Sequence, residues 1–103
     1  MSDCLFCRIV AGEEPAFVVL RTDRVTAFLD TRPLFKGHSL VVPNVHVDTL
    51  LDLPGELRDP LLAAAQHLAR AMVEVLGAQG SFVAMNNVVS QSVPHLHVHV
   101  APR

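Results

Sequence analysis

The last ten residues of the chain, Pro94 to Arg103, set histidine against apolar residues in strict alternation: His95, His97 and His99 interleave with Leu96, Val98 and Val100. In an extended strand successive side chains point to opposite faces, so the three imidazoles share one face and the three aliphatic residues the other. Such a strand needs a core on its apolar side. Its other side carries a row of imidazoles spaced roughly 6.5 to 7 Å apart. Near neutral pH each can act as nucleophile, acid, hydrogen-bond donor or metal ligand. Histidine is not a preferred strand residue, so three at alternate positions point to chemistry rather than to an ordinary polar face.

The rest of the chain reads as a sheet built around this segment. Leu5 to Val10 predicts a short helix ended by Gly12 and Pro15. Phe17 to Leu20 and Val25 to Leu29 are apolar runs separated by Arg21-Thr22-Asp23-Arg24, the pattern of an antiparallel hairpin. His38 to Val42 predicts a third strand, stopped by Pro43-Asn44. From Pro54 to Leu76 the period becomes helical, with Leu57, Leu61, Leu68, Met72, Val75 and Leu76 largely on one face and Gly77 as a stop signal. This long helix covers one sheet face, and His67 within it is expected on its surface. Ser81 to Met85 and His95 to Val100 add two strands. The expectation is an α+β fold: about five antiparallel strands, one long helix and a short N-terminal helix in a single domain spanning residues 1–103.

The chain has 103 residues, half of them apolar, enough for one core burying roughly 60 to 70 percent of the unfolded surface. A formal net charge of -2 gives no electrostatic reason to expect a long nucleic acid as partner. No run approaches the length of a membrane span and Met1-Ser2-Asp3 does not resemble an export signal, so a cytoplasmic protein with no membrane partner is expected. The only cysteines, Cys4 and Cys7, lie in a Cys-Leu-Phe-Cys arrangement. A disulfide between them would close too small a loop to stabilise a fold, so the pair reads as metal-binding or redox-active.

The alternating histidines admit two chemistries. A strand can present imidazoles to a metal, usually with a further His or carboxylate from elsewhere. Alternatively, one imidazole attacks phosphorus while its neighbours supply charge, with no metal at the reacting centre.

His95-Leu-His-Val-His-Val100, preceded by Gln91-Ser92-Val93-Pro94, resembles the signature of the histidine triad (HIT) family of nucleotide hydrolases and transferases. The likeness extends through Cys4-Leu-Phe-Cys7-Arg-Ile-Val-Ala-Gly-Glu, Ala27-Phe-Leu-Asp30, Arg32-Pro, Gly37-His38-Ser-Leu-Val-Val-Pro43, His46 and Met85-Asn86-Asn87, all in the family's order. The resemblance implies that His97 attacks the α-phosphorus of a nucleotide and becomes covalently nucleotidylated before water releases the product. It implies that a backbone carbonyl of the motif holds the Nδ1 proton of His97. His99 and His38 would contact phosphate oxygens, Ser92 would sit near the leaving group, Asn86 would donate or accept near the phosphates or the catalytic strand, and Gln91 would belong to the nucleotide-binding set. Asp30 would take the ribose hydroxyls and Phe28 would line the base pocket. Many bacterial members similar to this chain hold a structural zinc, for which the matching residues are Cys4, Cys7, His46 and His95. The family also commonly forms homodimers through the long helix and an edge strand.

Departures from the pattern lie between Asn86 and His95. This loop is about two residues shorter than is usual in the family and carries Ser90 where glycine is frequent. The leading expectation is a hydrolase or transferase acting on a nucleoside phosphoramidate, a dinucleoside polyphosphate or a related nucleotide. The alternatives are a nucleotide-binding regulatory module with little turnover, and a metal-dependent hydrolase or lyase using the triad as ligands.

Overall fold

In the computed structural model, which describes residues 2–103, five strands form one antiparallel sheet in the order β1-β2-β3-β5-β4. The strands are β1 (Val18–Arg21), β2 (Val25–Leu29), β3 (Ser39–Pro43), β4 (Ser81–Ala84) and β5 (Val98–Pro102). The helices are α1 (Leu5–Val10) and α2 (Arg58–Glu74), the latter preceded by single 3-10 turns at Leu50–Asp52 and Gly55–Leu57. The predicted α1 and β2 coincide with the observed ones.

The β1-β2 turn closes because the Thr22 hydroxyl accepts from the Arg24 and Val25 N–H groups, at 3.1 and 3.0 Å, while Thr22 N–H donates to the Val25 carbonyl. A register shift between Val18 and Leu20 interrupts the edge strand.

Alternation divides the sheet into two faces. Val25, Ala27, Val41, Leu96, Val98 and Val100 meet Leu61, Ala64, Ala65, Leu68 and Met72 of α2 in the main core. Phe28, Leu40 and Val42 face the other way and pack on Phe6 and Ile9 of α1. The face that carries the imidazoles is thus covered by the N-terminal helix, and His95 and His97 are buried beneath it.

Two boundaries shift for physical reasons. The predicted start of α2 at Pro54 moves to Arg58, because Leu57 N–H bonds to the Pro54 carbonyl and makes a tight turn first. Pro60 then falls in the first helical turn, where its missing N–H has no intrahelical partner to lose. The strand predicted over His95 to Val100 becomes Val98–Pro102. Leu96 N–H donates to the Val47 carbonyl at 2.7 Å, and the His95 carbonyl is taken by a side chain, so the ladder with β3 begins only at Val98 opposite Val41. The remaining strand ends differ from expectation by one or two residues. Among the described residues no helix is long and apolar enough to cross a membrane.

Candidate active site and metal centre

The site is assembled where β5, β3 and α1 meet, and its hydrogen bonds specify the tautomer of each imidazole. His97 Nδ1 lies 2.8 Å from the His95 carbonyl, which can only accept, so Nδ1 carries the proton and Nε2 presents a lone pair. This is the bond the motif led us to expect. The ring is 98 percent buried, and the edge of Phe6 packs against it with centroids 5.0 Å apart.

His38 behaves differently. Its Nδ1 accepts the Leu34 N–H at 3.0 Å, so the proton resides on Nε2, which donates to His99 Nδ1 at 3.0 Å. His99 must then carry its own proton on Nε2. Burial, followed by repulsion from His97 and His38 and only partly offset by Asp30, holds the His99 pKa below the usual histidine value. His99 is therefore a neutral donor near pH 7. Of the two histidines expected on phosphate, His99 lines the pocket, while His38 is buried, does not line it and fixes its neighbour's tautomer. Gly37 permits the approach, since its φ of 99° is a conformation that L side chains rarely adopt.

A cavity of about 740 Å³ opens beside these rings. Its walls carry His97, His99 and Ser92 together with apolar Leu5, Phe6, Ile9, Phe17, Phe28 and Leu40, and Asp30 and Glu14 also line it. Asp30 stands just past β2, where Oδ1 accepts the Arg32 N–H at 3.0 Å and Oδ2 lies 3.6 Å from His38 Nε2. Phe28, Asp30, Ser92, His97 and His99 are thus brought together as the sequence led us to expect.

Asn86 and Gln91 are not. Asn86 is exposed beyond the end of β4 and outside the pocket wall. Gln91 accepts the Val88 N–H at 3.1 Å and donates its amide to the Asp48 carbonyl. Its side chain is used to hold loop 87–91 against the segment after β3. That loop contains Val88 and Ser90 at φ 69° and 63°. Ser90 therefore adopts the left-handed conformation for which glycine has the lowest cost, and a β-branched residue does so at Val88.

The second cluster lies on the other flank of α1. Cys4 Sγ is 3.3 Å and Cys7 Sγ 3.5 Å from His95 Nδ1, and Cys7 Sγ is 3.2 Å from His46 Nδ1. The four ligand atoms lie within 4.8 Å of one another. His95 Nε2 donates to the Pro43 carbonyl at 2.9 Å and His46 Nε2 faces the Asp48 carboxylate at 2.6 Å, so both Nδ1 lone pairs point at the sulfurs. Burial lowers the pKa of His95, and burial together with Cys4 raises that of Cys7. Two thiolates with two neutral imidazoles form a closed S2N2 set. Zinc bonds of about 2.3 Å to sulfur and 2.0 Å to nitrogen put adjacent ligands roughly 3.5 Å apart in a tetrahedron, close to these separations. The residues fit zinc.

Asp30, His38 and His99 also place ligand atoms within 4.8 Å of one another. The Leu34 N–H on His38 Nδ1 leaves a proton rather than a lone pair on Nε2, so this trio does not suit a metal. Nor do the triad imidazoles converge on one point, since His95 Nδ1 faces the sulfurs and His97 Nδ1 faces a carbonyl.

Several partners were not foreseen from the sequence: Phe6 on His97, the Leu34 N–H, the Pro43 carbonyl, Asp48 and Glu14. Only Asp48, two residues after His46 in a His-x-Asp pair, carried a local signal.

Residues 11–103 match the HIT domain family. The chain belongs to the HIT domain family. An adenylylsulfatase of Arabidopsis thaliana is 33% identical over 104 residues, covering 99% of this chain and 53% of that protein. An adenosine 5'-monophosphoramidase of Saccharomyces cerevisiae is 34% identical over 100 residues, covering 97% and 62%. The chain thus spans about half to two thirds of the length of these two curated relatives. A Zn-bound histidine triad family protein from Mycobacterium smegmatis superposes with a TM-score of 0.93 at 39% identity, covering 98% of this chain and 75% of that one. A HIT family hydrolase from Legionella pneumophila gives a TM-score of 0.86 at 36% identity, covering 96% and 91%.

Proposed function

We propose that this HIT protein hydrolyses nucleoside 5'-phosphate derivatives at the α-phosphorus, with His97 as nucleophile. The observation that carries the reading is the His97 Nδ1–His95 carbonyl bond, which leaves a lone pair on Nε2 of a histidine that lines the same cavity as His99 and Ser92. Attack by Nε2 forms a nitrogen–phosphorus bond as the bond to the leaving group breaks. The imidazole becomes cationic, and the carbonyl on Nδ1–H stabilises that charge. His99 Nε2–H donates to a non-bridging phosphate oxygen, its tautomer fixed through His38 by the Leu34 N–H. Ser92, exposed and lining the pocket, passes its proton to the leaving group and regains one from the water that attacks in the second step. Water then attacks phosphorus, the bond to Nε2 breaks, and the nucleoside monophosphate departs. Asp30 accepts from the ribose hydroxyls, and the base packs on the apolar walls of the cavity.

The relatives that act on adenylylsulfate and adenosine phosphoramidate support an α-phosphorus carrying a sulfate or amine leaving group as the substrate class. Cys4, Cys7, His46 and His95 hold a structural zinc in this reading. The ion would clamp α1 to the catalytic segment, away from the reacting phosphorus. A homodimer through β4 and α2 is supported by the edge position of β4 and by exposed Phe82, Val83 and Val73. No nucleic-acid or membrane partner is invoked, and a cytoplasmic location accords with that.

Turnover of nucleoside 5'-phosphoramidates by wild type and His97→Ala tests the proposal. Turnover in wild type and a loss of several orders of magnitude in the variant is the expected result. Full activity in His97→Ala would exclude this nucleophile.

A further inference from the structure

The pocket contains two carboxylates, and the proposed reaction uses only Asp30. The other, Glu14, belongs to the segment between α1 and β1. Both Glu13 and Glu14 N–H groups reach the Arg8 carbonyl, at 2.8 and 3.3 Å, which folds the chain back over α1. Further along, Phe17 accepts the Leu29 N–H at 3.0 Å and Ala16 packs on the Phe6, Ile9 and Phe28 cluster, so residues 14–17 run beside the end of β2. Glu14 is thereby placed with the apolar residues of the pocket. Its Oε1 lies 3.4 Å from Arg8 Nη2, and Arg8 Nη1 donates to the Ser2 carbonyl at 3.0 Å. The guanidinium holds the carboxylate in place and leaves acceptor positions on both oxygens.

A nucleotide whose α-phosphorus meets His97 and whose ribose meets Asp30 lays its base against the apolar walls that Glu14 shares. Its faces find Phe6, Ile9 and Phe28, but its polar edge finds one charged acceptor. We propose that Glu14 reads the base edge and that the protein prefers guanine nucleotides. Guanine presents N1–H and the exocyclic N2–H side by side, two donors matched to a carboxylate's two oxygens. Adenine presents one amino donor beside the N1 lone pair, which the carboxylate repels. Glu14 is only partly buried, so the discrimination comes from matching two donors to its carboxylate rather than from leaving a buried group unpaired.

This rests on the proposed nucleotide site, and binding separates it from turnover. GMP and AMP affinities by calorimetry, and kcat/KM for guanosine and adenosine 5'-phosphoramidate, would be measured on wild type, Glu14→Ala and Glu14→Gln. The expected guanine preference in wild type is roughly tenfold, the worth of a charge-assisted hydrogen bond at a half-open site. It should fall to near one in Glu14→Ala and shift toward adenine in Glu14→Gln, whose amide can both accept and donate. A wild-type ratio of one or below, or a ratio unchanged in both variants, overturns the assignment, including when the variants weaken both nucleotides equally. Selective binding with no turnover overturns the hydrolase reading and leaves this one standing. Failure to bind either nucleotide overturns both.

Discussion

Truncating Phe6 to alanine removes the side chain that joins the two clusters. Phe6 is 96 percent buried and packs edge-on against Phe28, His97 and His95 with centroids 5.3, 5.0 and 5.9 Å away. Phe→Ala in a core costs about 3–5 kcal/mol, of which each aromatic pair accounts for roughly 0.5–1.5. The pocket adjoins this residue and lets water and neighbours relax into the space, so the lower end, about 3 kcal/mol, is expected. For a domain of this size that lowers Tm by roughly 12–24 °C. Equilibrium urea denaturation with zinc present measures it, with Phe6→Leu as a control expected to lose about 1 kcal/mol. Because Phe6 also packs on His97, the proposed nucleophile, and lines the cavity, kcat/KM should fall at least about tenfold in Phe6→Ala. A loss of stability under about 1 kcal/mol together with unchanged kcat/KM would refute the role given to α1.

Wild-type protein should carry about one zinc per chain by elemental analysis, and Cys4→Ala should lose it and melt at lower temperature. A saturating ligand at a thousand times its Kd stabilises by about 4 kcal/mol, so unchanged zinc content in the variant would remove Cys4 from the site. Stability should also fall on acidification. His95 and His99 have folded pKa values below the ordinary histidine value, chiefly through burial. The unfolded chain therefore takes up protons first, near pH 6.5, and stability present above that pH is lost as pH drops toward the folded values. Urea midpoints measured from pH 7.5 to 5 check this, and a midpoint that rises on acidification would contradict it.

The sheet was legible because its strands alternate cleanly: Val25 to Leu29 sends Val25 and Ala27 to α2 and Phe28 to α1, as period two requires. The Cys4, Cys7, His46 and His95 cluster was legible as a set, because the resemblance joined two cysteines near the start of the chain to two distant histidines. The separate roles of His95, His97 and His99 followed from the resemblance, but the tautomers of His38 and His99 were not visible in sequence. They depend on the Leu34 N–H, a backbone group whose direction only the folded loop determines. The position of Gln91 was not visible for the same reason, since its amide bonds to the backbone of Val88 in the strained loop and of Asp48 after β3.

The central claim is tested most directly by trapping the intermediate. Wild-type protein mixed with a nucleoside 5'-phosphoramidate and quenched within milliseconds should gain the mass of one nucleotidyl group. Peptide fragmentation should place it on His97, and His97→Ala should gain none. Turnover with no such adduct, or an adduct on another residue, would contradict the account.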